Sequence, residues 1–103
     1  MSSYFAGKLF EINYRMATHE GNANRRLAAE ARKILLLSPS EAPERYREEF
    51  SKLREILKET IKSLPSPGMT PSRIRGIQNR TAVKYIKMLI DIQETIRWEQ
   101  NGT

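Results

Sequence analysis

Two carboxylates four residues apart on a helix can form an acid–base pair or half of a carboxylate metal site, and this chain has two such pairs, Glu44 with Glu48 and Glu55 with Glu59. Neither is completed. Bundle di-metal sites add a histidine three residues after a glutamate, and the only histidine, His19, has no glutamate at that distance before it. Arg and Lys interleave with the acids, and Glu48 with Lys52 is a favourable i to i+4 pair, so this run reads as an ion-paired, solvated face. His19 and Glu20 open like a zinc-protease HExxH, but Ala23 follows Asn22 where the second histidine belongs. A helix C-terminal cation is the ordinary role for His19. There is no cysteine, which removes thiolate nucleophiles, thiolate zinc sites and disulfides. The Ser and Thr residues have no histidine–acid constellation to serve, and Gly68 and Gly76 stand alone rather than in a phosphate loop. The expectation is a protein that is not an enzyme, with no cofactor, no metal and no evident small-molecule substrate.

The basic residues are better organised. Arg73, Arg80, Lys84 and Lys87 recur at spacings of seven, four and three, which places them on one helical face, and no acid interrupts residues 70–90. Arg and Lys so arranged suit phosphates and guanine edges. The segment 70–90 resembles a generic helix-turn-helix, with a short helix over 71–77, a turn over 78–80 and a second helix from Ala82. Ile74 and Ile77 would then pack on Val83, Ile86 and Ile90. The ordinary reading of the stripe, and the preferred one, is the solvated outside of a buried helix.

Trp98 aligns with Asp91 and Glu94 and nearly opposes Ile92 and Ile96, so a continuous helix would expose it as a partner anchor, whereas a fraying end, the slightly preferred reading, would fold it back over the core. Tyr4 and Tyr14 lie off the stripe of the first helix, placed to cap the fold or meet another subunit.

Four helices are predicted to position these groups. Phe5, Leu9, Ile12 and Met16, with Ala6 and Phe10 alongside, define a helix over 3–18, and Leu27, Ala31, Ile34 and Leu35 one over 23–37, with Asn22 or Asn24 as its cap. Ser40 is the expected cap of a third helix over 41–64, striped by Tyr46, Phe50, Leu53, Leu57 and Leu64. Thr70 followed by Pro71 signals the start of a fourth over 71–99, apolar round most of its circumference from Tyr85 to Ile92 and therefore central. As one rod that helix outreaches its neighbours, so a break near Asn79, with its weak helix formers Gly76, Gln78 and Asn79, is the alternative.

At 103 residues the chain is one domain's worth. Its net charge is +6. The middle, 39–65, balances six cations with six acids, while residues 1–38 and 66–103 each carry six against three. Such basic ends suit nucleic acid, anionic lipid or an acidic protein. Charges at Lys8, Glu11 and Arg15 break any signal-peptide stretch, no segment reaches membrane-spanning length, and the lack of cysteine fits a reducing compartment. The sequence thus predicts an all-α, small four-helix bundle, cytoplasmic and without a membrane. It would be a non-catalytic adaptor or regulator that meets a protein partner or itself through Trp98 and Tyr14. The alternative is a nucleic-acid-binding domain using Arg73, Arg80, Lys84 and Lys87.

Overall fold

Phe5, Leu9, Ile12 and Met16 form the inner face of α1 (Ser3–Thr18), and all four are buried. In this computed structural model, which describes residues 3–101, four further α-helices follow: α2 (Ala23–Ala29), α3 (Ala31–Ile34), α4 (Arg47–Lys62) and α5 (Asn79–Asn101). The fold is all-α, with no strand among the described residues. α5 packs against α1 and α2, and α4 against α3. Phe5 meets Phe50 of α4 edge-on, with ring centroids 6.2 Å apart, at the heart of a continuous apolar core. The Cα radius of gyration, 13.4 Å, is that of a chain folded round one such core.

Helix boundaries depart from the periodicity in three places. The helix expected over 23–37 turns at Glu30, whose backbone leaves the helical region at φ −103° and ψ 7°. Its carboxylate, nearly buried, receives the Arg15 Nε–H of α1 at 2.9 Å, a long-range anchor that helical spacing does not encode. The helix expected from 41 begins six residues later. Ala42, ahead of Pro43, is extended at ψ 155°, as the clash with a following proline ring requires, and the chain passes through two 3-10 turns, Pro39–Glu41 and Glu44–Tyr46. Ser40 caps nothing, its hydroxyl bonding that of Ser38.

The third departure is the largest. Residues 70–78 are not helical, and α5 begins at Asn79. The short first helix of the expected helix-turn-helix is therefore absent. Thr70 and Pro71 are a good local start, but Gly76 takes φ +80° and the backbone groups that would make intrahelical bonds are claimed by side chains elsewhere. The Ile74 N–H donates to Asn24 Oδ1 at 2.6 Å, Asn24 Nδ2 donates to the carbonyls of Ile74 and Ile77, and the Arg75 N–H donates to Thr60 Oγ1 of α4 at 3.1 Å. Ile74 fills the core and Pro71 is buried with it.

Nor is α5 enclosed all round. Ala82, Tyr85, Met88, Leu89, Ile92 and Ile96 are buried, while Val83 and Ile90 are exposed. Phe10, expected beside the α1 stripe, also lies outside. No helix among the described residues is long and apolar enough to cross a membrane.

Candidate functional site

Pinning segment 70–78 to α2 and α4 creates a cleft at one end of the molecule. Asn22, Arg25, Ser72, Arg73, Gln78 and Asn79 line it, with Asn24 and Ile77 at its base, and its volume is about 490 Å³. The side chain of Asn22 caps α2 by accepting the Arg25 N–H at 2.9 Å, and that of Asn79 accepts the Asn24 N–H at 2.9 Å. The Arg25 and Arg73 side chains are exposed and form no ion pair among the described residues. An adjoining hollow shares Arg25 and Ser72 and adds His19 and Glu20, with His19 Nδ1 accepting the Gly21 N–H.

The four cations singled out by spacing divide between two elements. Arg73 lies in the segment ahead of α5, whereas Arg80, Lys84 and Lys87 are exposed along the outer side of α5. They share a helical face there, as their spacing requires. Lys84 reaches the half-buried Glu49 of α4 at 3.9 Å, a pair open to solvent on the lysine side that holds little energy, and among the described residues no acid pairs with Arg80 or Lys87. Arg75, exposed beside Arg73, and Arg25, across the cleft, extend the positive region. Spacing did not nominate Arg25, because what brings residue 25 beside residue 73 is the Asn24 amide.

Trp98 and Tyr14 are both outside. The α5 helix continues past Trp98 to Asn101, so the indole does not fold back, and it is 77% exposed; Tyr14 is 63% exposed. No hydrogen bond or ring contact joins the two among the described residues. They sit on helices that pack antiparallel, since Asn13 Nδ2 bonds the Leu89 carbonyl and Gln93 Oε1 while Phe10 and Ala6, nearer the start of α1, line a small groove with Gln93, Ile96 and Arg97. Of the eight large apolar side chains exposed among the described residues, six lie on these two helices: Tyr4, Phe10, Tyr14, Val83, Ile90 and Trp98. Phe10 and Ile90 each follow a fully buried leucine, Leu9 and Leu89, and helical spacing alone groups them with the core.

Among the described residues no three His, Asp or Glu side chains gather as a metal site would need, and the pairs Glu44 with Glu48 and Glu55 with Glu59 belong to exposed, ion-paired surface at Lys52 and Lys58. Compared with known proteins, the chain matches no family model, no curated protein and no solved structure.

Proposed function

We propose that the chain is a non-catalytic interaction protein, an adaptor or regulator, which binds a protein partner or a second copy of itself through the outer side of α1 and α5. The observation that carries this reading is the concentration of exposed aromatic and aliphatic side chains on those two helices. Trp98 and Tyr14 are its anchors, large and stiff side chains of the type that dominates binding energy at interfaces. We read the architecture in the same sense: with α2 and α3 counted as one helix bent at Glu30, the chain is taken as a small four-helix bundle that presents such a surface. The test replaces Trp98 and Tyr14 with alanine, separately and together. Loss of self-association by sedimentation, or of a captured partner, is expected; unchanged association state and unchanged partners overturn both residues as anchors.

A second reading, nucleic-acid binding, is favoured by the exposed cations Arg73, Arg80, Lys84 and Lys87 in a stretch without an acid. Four phosphate contacts give a log–log salt slope of about 3.6 in magnitude on duplex DNA. Anisotropy titrations at two salt concentrations check this on a variant lacking Arg80, Lys84 and Lys87 and on one lacking Arg45, Lys52 and Lys58. Selective loss in the first supports the reading, and equal loss in both, or a flat salt response, overturns it.

A further inference from the structure

We propose that the cleft between α2 and segment 71–79 binds a phosphate group, either free inorganic phosphate or the terminal phosphate of a nucleotide chain. The inference goes beyond the interaction reading and shares only Arg73 with the cationic stripe, so each can fail alone.

The argument rests on which hydrogen-bonding atoms the cleft has left to offer. Asn22 and Asn79 each present an amide with one accepting oxygen and one donating NH2. Both oxygens are already committed to backbone N–H groups, of Arg25 and Asn24 respectively, at 2.9 Å. A backbone N–H can meet only the oxygen, which fixes both amide orientations and leaves each Nδ2 as a donor without a partner among the described residues. Two guanidinium groups, Arg25 and Arg73, line the same space, equally unpaired. The two oriented amides of the cleft therefore both have a donor to spare, and the two arginines beside them, exposed and mobile in solvent, donate and carry positive charge.

No carboxylate lines this cleft, whereas Glu20 lines the adjoining hollow, which is the reason for assigning the anion to the first and not the second. A tetrahedral phosphate, acceptor-rich on every side, complements planar arginine forks approaching from α2 on one wall and segment 71–79 on the other. Ser72 and Gln78 add groups able to donate as well. The volume, about 490 Å³, also admits the sugar and base that would accompany a terminal phosphate. Because the hydrogen bonds that orient Asn22 and Asn79 also build the fold, the ordering left to be done on binding is that of the two arginine side chains.

The experiment is an NMR titration of the full chain with sodium phosphate, ionic strength held constant with sodium chloride. The side-chain NH2 signals of Asn22 and Asn79 and the Nε–H signals of Arg25 and Arg73 are followed. Saturable shifts confined to these groups are expected. Arg25→Gln and Arg73→Gln should each weaken binding by about ten-fold, the worth of a lost charge-assisted contact, and Lys87→Gln should leave it unchanged. Neither arginine side chain has an internal partner, so the backbone spectra of both variants should overlay the wild type. Unsaturating shifts spread over all Lys and Arg signals, or equal binding by Arg25→Gln and wild type, overturn the proposal. An oligonucleotide with and without a 5′ phosphate identifies the source. Preference for the phosphorylated end assigns the site to a chain terminus, equal binding beside a saturable response to inorganic phosphate assigns it to the free anion, and no confined shift with either sinks it.

Discussion

Two regions of this molecule are held by different forces. The helical core is apolar, built from faces on α1 and α4 that repeat every three to four residues and bury Phe5, Leu9, Phe50, Leu53 and Leu57. Segment 70–78 has no repeat and is tied by point hydrogen bonds from three side chains, Asn24, Thr60 and, just ahead of it at the Met69 carbonyl, Arg32. Burial spreads its energy over many atoms and tolerates imperfect geometry. A buried hydrogen bond concentrates it, because a single missing partner leaves a polar group stranded. The lesson is that the regular part of the fold is robust and general, while the part that shapes the cleft depends on few atoms.

This contrast can be broken from either side. Phe50→Ala should cost the most, about 3–5 kcal/mol by denaturant melts, and should lower the protection of every helix together, since a core void is felt throughout. Asn24→Ala should cost about 2 kcal/mol by leaving the Ile74 N–H and two carbonyls unpartnered. Its signature differs: hydrogen exchange should accelerate over residues 71–78 while α1 and α4 stay protected. Equal acceleration everywhere would show that the two regions are one cooperative unit. Thr60→Val, which keeps the shape and deletes the acceptor of the Arg75 N–H, should cost about 1 kcal/mol, again localised.

The smallest effect is in pH. Burial, and secondarily the nearby Glu49 carboxylate, raises Tyr85 above its ordinary 10.0. The folded state thus holds this proton more tightly than the unfolded state, and its contribution, whole below pH 10, is lost as pH rises through the folded value. Melting temperature should fall more steeply above pH 10 in the wild type than in Tyr85→Phe.

The same division decides what the sequence could reveal. The α1 stripe and the Phe50, Leu53, Leu57 stripe of α4 are legible because burial imposes a period; the exposure of Trp98 is legible only once α5 is known to continue to Asn101, since a fraying end would have folded it back. The non-helical course of 71–78 is illegible because Thr70 and Pro71 speak only for their own turn, while Asn24, whose amide is the competing donor and acceptor, lies 50 residues from Ile74. Charge nominated Arg73, but Arg25, Asn22 and Asn79 join it only through tertiary contacts that spacing cannot express. The bend at Glu30 likewise coincides with a bond from Arg15, fifteen positions earlier, which spacing does not express.

Asn24 also has a consequence in time. Its bonds to residues 74, 77 and 79 close a stretch of 50 to 55 residues, far longer than the turns that join neighbouring helices. Closing so long a stretch carries an entropy cost that the short-range pairs α2–α3 and α3–α4 need not wait for; the docking of α5 on α1, across 76 residues, bears that cost too, but a buried face repays it over many side chains where the cleft has a few directional bonds. The cleft is therefore expected to be the last part of the molecule to form and the first to come apart. In stopped-flow kinetics Asn24→Ala should leave the refolding rate nearly untouched and hasten unfolding, the mark of an interaction made after the barrier. What the chain completes last, a bound anion would then hold longest: occupancy of the cleft should slow unfolding without speeding folding.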